Sequence, residues 1–576
     1  MGRGQTAISL RNRTLFHLIQ SFSHIMASLS PLTGALGHRR AAHLLRRTSF
    51  NFTKTKVDQM ASQTASQALA SLLQLNPLKL DQPIYKDLQT QGSAIETWLL
   101  PLPGTAQTDL PAEDFVLRRW VMNWWCHEAI QDTGIGHKMT FFFHQFFQTT
   151  ANSGRNSNFF DYLQLLRWGA LGNFKKLAYK MVTDNNMLLY LNNNQNNKLN
   201  PNENFAREFL ELFTIGKGPQ IAPGDYTNYT EDDIVQAARV LTGFRARVNR
   251  DVVDPETGIP RGTAQPVQHV TDAKTFSSKF NNQMIPGATT EAGMWAELQT
   301  FVDMIFAQPE TAKNLCRRLY HFFVSRNITT EIENDIIVPL ANTLISNNFE
   351  VKPVLQQLLG SQHFFDADDS NNADEIIGGM IKSPLELNYQ TMSFFGMPIP
   401  DPMVNTAAYF QIFDRGMLQR AFANANLPLF FAADVAGYPA YYQEPDFSHQ
   451  WFNSSTIIAR YKMGEMFLTG ILTGTNNQPL GTKLTIANWV KNSGVISDPT
   501  DSQVLVEDLL KYLLPEEVDT DRFNYFHIQV FLDNLPPSDW TYEWENYLTT
   551  NDPTEVTLAL ERLIKAILYS PEYQTF

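Results

Sequence analysis

Residues 203–211 place three charged side chains, Glu203, Arg207 and Glu211, at intervals of four. Residues with this spacing lie along one stripe of a helix, where they form a ladder of alternating charge. Glu208 adds another carboxyl group to the same polar face. The stripe fits the wall of a polar cleft in which Glu203, Glu208 and Glu211 are candidate catalytic acids or bases. The same stripe is equally consistent with a helix cap followed by a network of ion pairs that is exposed to solvent or lies between domains.

A histidine lies in an almost wholly apolar stretch of the chain. His144 is surrounded by Phe142, Phe143, Phe146 and Phe147. A buried imidazole needs a hydrogen-bond partner, because burial of an unpaired polar group is costly. We therefore interpret His144 either as a core histidine with a satisfied ring nitrogen or as a catalytic residue. In the second case the expected partners are the carboxylates of residues 203–211.

Five basic or imidazole side chains stand out in a chain with a formal net charge of −13. Guanidinium groups bind sulfate, phosphate and carboxylate through paired hydrogen bonds, so a pocket for an anionic group is one hypothesis. The alternative is internal ion pairing with carboxylates such as Glu208, Glu231 and Asp233. Two of the five lie in an irregular segment, where functional residues are over-represented. The candidate substrate-binding residues are Arg167, Arg207, Arg239, His269 and Lys274.

The helix that carries the charged stripe has recognisable ends. Asn200 is a suitable N-cap for it, and Gly216 suits the left-handed position that follows a helix. A second helix is predicted to begin at Thr230, with Asp233 completing a capping box, and to end at Gly243. Apolar and polar residues separate cleanly onto two faces of the first helix. One face is therefore expected in the core and the other at a surface.

Composition and periodicity predict a mainly α fold, a large multi-lobed helical protein with a small β-hairpin or loop insertion. The 576 residues exceed one compact core, so several packed subdomains are expected. An aromatic loop that contains Tyr438, Tyr441, Tyr442 and Trp451 either stacks on sugar rings or covers the core. The predicted regions are a leader at 1–35, an N-terminal helical core at 36–245, a β/loop insertion at 246–290, a second helical block at 291–396, and the aromatic loop with C-terminal helices at 397–576.

Several classes of function are disfavoured by the sequence. The negative net charge repels phosphate backbones, so nucleic-acid binding is not expected. No run of eighteen apolar residues predicts a transmembrane helix. Zinc-binding patterns and phosphate-binding loops do not occur in a suitable context, so no metal site is predicted and the cofactor is unknown. Cys126 and Cys316 lie in apolar stretches and are expected to be buried.

Segments in a fixed order resemble the bacterial family catalogued as domain of unknown function 1800. The resemblance implies a mainly helical fold and an exported, extracytoplasmic protein. It also implies a sulfatase-like partner, catalogued as domain of unknown function 1501, but no established activity. The segments are AAHLLRRTSF at 41–50, KMTFFFHQFF at 138–147, LLRWGALGNFKKL at 165–177, LLYLNN and PNENFAREFLELFTIGKG within 188–218, YTEDDIVQAARVLTGF at 229–244, HVTDAKTF at 269–276, IKSPLELNYQTMSFFG at 381–396 and DVAGYP at 434–439.

This chain departs from the family pattern in three segments. A His-Asn-His sequence of the family is His144-Gln145-Phe146 here. The family's Asp in the Tyr-Leu-Asp-Asn stretch is Asn192, and a His that often precedes the Pro-Asn-Glu-Asn motif is Asn200. These changes remove potential metal ligands. If the family uses a His/Asp metal centre, this member lacks several of its ligands.

Three hypotheses about function follow. The first is an extracytoplasmic hydrolase that acts on a polysaccharide or another anionic envelope polymer, centred on His144 with Glu203, Arg207 and Glu208. The second is a non-catalytic partner or scaffold of a sulfatase-like protein, and the third is a structural envelope protein. The hydrolase requires His144, Arg207 and Glu208 to converge, whereas the scaffold predicts that they are buried and paired, with an apolar patch exposed elsewhere.

Overall fold

Helices form most of the fold because apolar residues recur at helical spacing along the chain. The structure is a computed structural model, and it describes residues 27–87, 92–95, 98–99, 112–247, 249–368, 375–470 and 483–576. Most of the predicted leader therefore lies outside the described residues. The first helices are α1 (Gly37–Thr48), α2 (Lys54–Ala61), α3 (Ala65–Leu72), α4 (Asp114–Gln131), α5 (Gly136–Phe146), α6 (Asn156–Gly169), α7 (Phe174–Met181), α8 (Asn185–Tyr190), α9 (Glu203–Glu211) and α10 (Glu231–Val240).

Short antiparallel strand pairs interrupt the helices, and some of their strands lie in residues 246–290, which the sequence predicts as a β/loop insertion. Successive strands pair with each other, β1 with β2, β3 with β4 and β5 with β6. The small hairpins of the predicted fold class are thus present. The strands are β1 (Gln220–Ala222), β2 (Asp225–Tyr226), β3 (Phe244–Arg245), β4 (Thr263–Ala264), β5 (Lys274–Thr275) and β6 (Met284–Ile285).

The remainder of the chain is again helical and includes three π-helical segments at Glu333–Ile337, Gln411–Phe422 and Tyr525–Phe531. The aromatic loop itself, residues 427–455, is irregular with short 3-10 turns. The other helices are α11 (Glu291–Phe306), α12 (Pro309–Phe323), α13 (Thr330–Ile332), α14 (Val338–Ser346), α15 (Val351–Leu359), α16 (Pro384–Phe394), α17 (Thr406–Phe410), α18 (Ile457–Thr469), α19 (Ile486–Asn492), α20 (Ser502–Leu513), α21 (Thr520–Asn524), α22 (Pro537–Thr550) and α23 (Thr554–Tyr569).

The ends of α9 and α10 test the predicted boundary signals. Thr230 caps α10 and forms the predicted capping box with Asp233. The N-cap of α9 is Asn202, whose side chain accepts a hydrogen bond from the Asn204 amide, so the prediction of Asn200 was wrong. Asn200 lies two residues before this cap, in a turn that its amide closes onto Asn197, and so it is too far from the first turn of α9.

The apolar face of α9 is anchored in the core by aromatic contacts. The rings of Phe209 and Phe301 have centroids 5.9 Å apart, and those of Phe147 and Phe213 are 5.5 Å apart. These rings belong to one hydrophobic core that contains residues from Leu36 to Tyr573. Because this face of α9 is buried, its charged stripe points toward a surface. Among the described residues, no helix has the length and apolar character needed to cross a membrane.

Candidate functional site

His269 and Lys274 lie in a closed, fully buried cluster with Glu297 of α11. The Lys274 ammonium is 2.6 Å from Glu297 Oε1 and also donates to the Val270 carbonyl at 2.6 Å. His269 Nε2 is 3.0 Å from Glu297 Oε2, and its Nδ1 is 2.8 Å from the Thr242 carbonyl. The three side chains, called the Glu297 triad below, join the hairpin region to α11. Every charge in the triad has a partner, so it is a structural clamp.

Arg239 and Arg167, two further candidate ligands of an anion, are also occupied by internal partners. Arg239 donates to Gln236 Oε1 at 2.7 Å and lies 3.8 Å from Asp272. Arg167 is buried and donates to the Pro77 carbonyl at 3.0 Å, with Asp132 at 3.9 Å. These positions support the alternative of internal pairing, although with partners other than those considered from the sequence.

His144 is a core residue in the interior of α5. Its Nδ1 lies 2.9 Å from the hydroxyl of Tyr162, and that hydroxyl donates to the Phe147 carbonyl at 2.7 Å. The hydroxyl has one proton, so it accepts its second hydrogen bond from His144 Nδ1–H. Burial lowers the pKa of His144 to about 3, which keeps the ring neutral. The partner of His144 is therefore a tyrosine and not a carboxylate of α9.

On the outer face of α9, Arg207 binds Glu231 through two hydrogen bonds of 2.9 and 2.7 Å. Glu203 lies 3.4 Å from the same guanidinium and is largely exposed. The hydrogen bonds with Arg207 lower the pKa of Glu231. This part of the stripe is the solvated ion network that was the alternative interpretation.

Glu211 lies further along α9 and also has partners. Its Oε2 accepts a hydrogen bond from the Tyr229 hydroxyl at 2.9 Å, and its Oε1 lies 3.3 Å from Lys217 Nζ. Tyr229 is buried, so Glu211 has one partner in the core and another at the surface. A carboxylate held in this way is fixed in position, and its negative charge acts on the neighbouring Glu208.

Glu208 differs from every other candidate because its side chain is half-buried and its carboxyl group has no hydrogen bond or ion pair with any residue that the structure describes. Burial raises the pKa of Glu208 to about 7, and the negative charges of Glu211 and Asp434 contribute further. A carboxyl group with this pKa exchanges protons near neutral pH. This property is what general acid or base catalysis requires.

Asp434 comes from the aromatic loop and was not among the residues selected from the sequence. It begins a turn, closed by the Gly437 amide on the Asp434 carbonyl, and its Oδ2 accepts from the Tyr442 hydroxyl at 3.1 Å. Gly437 has φ +98°, and a Cβ there would lie 3.1 Å from Gln145 Oε1. The glycine therefore allows the loop to approach the end of α5. Burial and the charges of Asp434 and Glu208 raise the pKa of Tyr190, which shows that these groups share one environment.

Arg318 of α12 supplies a positive charge next to this loop. Its guanidinium lies 5.2 Å from the centroid of the Phe146 ring and interacts electrostatically with Tyr442. It has no hydrogen bond or ion pair within the described part of the chain, and burial lowers its pKa to about 10, so it remains charged. Electrostatic interactions link Glu208, Tyr190 and Asp434, Tyr442 is bound to Asp434, and Arg318 is connected to them through Tyr442. These five groups are called the Glu208 cluster below.

Two other buried carboxylates, Asp184 and Asp233, have structural roles. Asp184 is buried and caps α8 by accepting from the Met187 amide at 2.8 Å. Asp233 caps α10 and also accepts hydrogen bonds from the amide and hydroxyl of Ser277. A cap carboxylate is committed to backbone donors. The carboxylates whose charges act on Glu208 are Glu211 and Asp434, and Glu211 is already held by Tyr229 and Lys217.

Metal-ligating side chains do not converge in the described ranges, where no group of three or more His, Cys, Asp and Glu residues is arranged to hold a metal ion. Cys126 and Cys316 are free and buried, as predicted. Burial raises the pKa of the Cys126 thiol to about 12, so it is not a ready nucleophile.

Comparison with known proteins identifies the family. The chain matches the family described as "Protein of unknown function (DUF1800)" over residues 43–575 and belongs to it, which confirms the resemblance. No curated protein and no solved structure matches the chain.

Proposed function

We propose that the Glu208 cluster is the acid–base centre of an extracytoplasmic hydrolase that acts on a polysaccharide or another anionic polymer of the cell envelope. One observation carries the proposal. Glu208 is a half-buried carboxyl group without a partner among the described residues, and its pKa is about 7. Structural carboxylates of this protein, such as Glu211 and Glu231, are instead held by hydroxyl, ammonium or guanidinium groups.

The two carboxyl groups have different environments, and this suits a division of roles. Glu208 in its protonated form would donate a proton to the leaving-group oxygen. Asp434, which accepts a hydrogen bond from Tyr442, would activate water or stabilise positive charge on the sugar ring. Pairs of carboxyl groups in unlike surroundings are typical of glycoside hydrolysis.

Arg318 gives the reason to favour an anionic substrate. The protein is acidic overall, with a formal net charge of −13, and would repel such a polymer without a local positive charge. Arg318 is free of internal carboxylates and lies beside Tyr442, so its donors are available to a carboxylate or sulfate on the substrate. It takes the role that the sequence assigned to Arg167, Arg207 and Arg239.

The test is an assay of reducing-end release from uronate-containing, sulfated and neutral polysaccharides. We expect hydrolysis of an acidic polymer, and a loss of about 100-fold or more in rate in Glu208→Gln, as for removal of a general acid. Glu203→Gln is the matched control on the same helix and should keep wild-type activity. Equal rates for wild type and Glu208→Gln would overturn the proposal. Fractionation of the native host tests the extracytoplasmic location.

A role as partner of a sulfatase-like protein is the second candidate, and one surface favours it. Leu199 and Val267 are 88% and 71% exposed and lie on segments joined by the Lys198–Gln268 backbone hydrogen bond of 2.8 Å. Exposed apolar neighbours of this kind are frequent at protein interfaces. The double variant Leu199→Ser, Val267→Ser should lose co-purification with the sulfatase-like protein while keeping its thermal stability. Unchanged co-purification argues against this surface.

A further inference from the structure

A cavity of about 630 Å³ lies between the aromatic loop, α12 and the segment that follows α12. The aromatic loop contributes Glu444 and Phe447 to its lining, and α12 contributes Arg317 and His321. Clefts that bind ligands in proteins have volumes of about 300–1,000 Å³. This cavity, called the loop cavity below, is therefore large enough to hold a sugar unit.

The loop cavity and the Glu208 cluster are built from the same two segments. In the aromatic loop, Tyr442 belongs to the cluster, and Glu444 lines the cavity two residues later. On α12, Arg318 belongs to the cluster, and His321 lines the cavity about one helical turn further along. Burial lowers the pKa of His321 to about 4, and the charge of Arg318 contributes to this shift. The cavity is therefore a neighbour of the cluster.

Two arginines line the loop cavity, and carboxylates neutralise only one of them. Arg317 forms ion pairs with Glu310 and Glu333. Arg326 is partly exposed, forms no ion pair with any residue that the structure describes, and lies against the imidazole ring of His449. Burial and the charge of Arg326 lower the pKa of His449, so this ring is neutral and adds no counter-charge. The guanidinium of Arg326 is thus a positive charge that a ligand can use.

The remaining lining of the loop cavity suits a sugar ring, which combines hydroxyl groups with an apolar face. Phe447 and His321 form an aromatic wall, with their rings stacked at 4.8 Å between centroids. Phe447 has φ +41°, a left-handed conformation that is unfavourable for a bulky residue and is retained mainly at functional sites. Exposed polar groups that can bind sugar hydroxyls surround this wall: Asn327, Thr329, Thr330 and Glu444.

We propose that the loop cavity is a subsite that binds a further sugar unit of the acidic polymer, with Arg326 on the carboxylate or sulfate group of that unit. The inference rests on the proposed hydrolase function, because the polymer extends into the cavity from the Glu208 cluster. Arg318 and Arg326 then bind two acidic units of one chain. The subsite adds affinity for longer chains and takes no part in proton transfer.

The first experiment measures hydrolysis of two acidic substrates of different length, hexagalacturonate and digalacturonate. We expect Arg326→Gln to raise KM for the hexamer about tenfold with kcat unchanged, because it removes a charge-assisted contact that is equally strong in the ground and transition states. KM for the dimer, which is too short to reach the cavity, should stay the same. Arg415→Gln is the matched control, since Arg415 is exposed and has no ion pair within the described ranges, and it should behave as wild type. Equal KM values for the hexamer in Arg326→Gln and wild type overturn the subsite and leave the proposed function intact.

A second experiment separates failure of the subsite from failure of the proposed function. Calorimetry measures binding of hexagalacturonate, a sulfated hexasaccharide and neutral cellohexaose to the full chain, without any need for turnover. We expect an acidic hexamer to bind more tightly than cellohexaose, and Arg326→Gln to weaken its binding about tenfold. This result supports the loop cavity as a carbohydrate site even if no substrate is hydrolysed, which would overturn only the hydrolase. No binding of either acidic hexamer, or equal affinity in wild type and Arg326→Gln, overturns the subsite.

Discussion

The Glu297 triad and the Glu208 cluster contain similar side chains but differ in whether their charges are paired. In the triad, Lys274 and His269 together surround Glu297 at distances of 2.6 and 3.0 Å, and all three are buried. In the Glu208 cluster, the carboxyl of Glu208 and the guanidinium of Arg318 have no polar partner among the described residues. The difference indicates that the first region stabilises the fold, whereas the second retains groups that are free to act on another molecule.

The largest expected effect comes from breaking the triad. Glu297→Gln removes the negative charge and leaves Lys274 buried without a counter-charge, so we expect the free energy of unfolding to fall by about 3–5 kcal/mol. Urea denaturation measures this change. Glu291→Gln on the exposed face of the same helix should shift it by about 0.5 kcal/mol or less. Wild-type stability in Glu297→Gln would show that the triad is not a clamp.

A second prediction concerns how the stability of the protein depends on pH through His144, a residue of the interior that lies outside the Glu208 cluster. The pKa of His144 is about 3 in the folded protein and 6.5 in the unfolded chain. The unfolded chain therefore binds the extra proton first, and wild-type stability falls as pH decreases from 6.5 toward 3. The His144→Leu variant has no such loss. When the pH is lowered from 8 to 4.5, its free energy of unfolding should therefore rise by about 2–3 kcal/mol relative to that of wild type. An unchanged difference between the two proteins at these pH values would contradict the buried, neutral histidine.

Glu208 should show the opposite dependence on pH. Its pKa is about 7 in the folded protein and 4.5 in the unfolded chain, so the folded state holds the proton more tightly. Wild-type stability then decreases as pH rises from 4.5 to 7. At pH 8 the free energy of unfolding of Glu208→Gln should exceed that of wild type by on the order of 1 kcal/mol. This value is smaller than the pKa difference alone would give, because the Glu208 side chain is partly exposed to solvent. Thermal midpoints at pH 4.5 and 8 test this, with Glu203→Gln expected to show no such change.

The smallest effect is expected from the outer ion network of α9. Arg207→Ala breaks the contacts with Glu231 and Glu203, which are exposed to solvent. Such pairs contribute about 0–1 kcal/mol, and 1 M salt should abolish the difference. A loss larger than that of Glu297→Gln would reverse the proposed ranking of the two regions.

Sequence patterns predicted the helical fold and the start of α10, because periodicity and capping are properties of neighbouring residues, whereas α10 ends at Val240 and not at the predicted Gly243. The structure gives α9 the predicted buried face, although its cap is Asn202. The partners of charged groups are set by tertiary packing, and this is why neither Glu297 beside Lys274 nor Tyr162 beside His144 was anticipated. The Asp-x-x-Gly turn within DVAGYP is a local signal that could have indicated Asp434. No local signal distinguishes Arg318 from Arg317, the other arginine of its helix.

The most direct test of the central claim is the titration of Glu208 itself. Infrared difference spectra between wild type and Glu208→Gln, recorded from pH 4 to 9, isolate the carbonyl band of this one protonated carboxyl group. We expect a band that disappears with a midpoint at about pH 7 and that is retained in Glu203→Gln. A midpoint near 4.5, the ordinary value for glutamate, would show that Glu208 is a solvated surface residue and would contradict the acid–base centre.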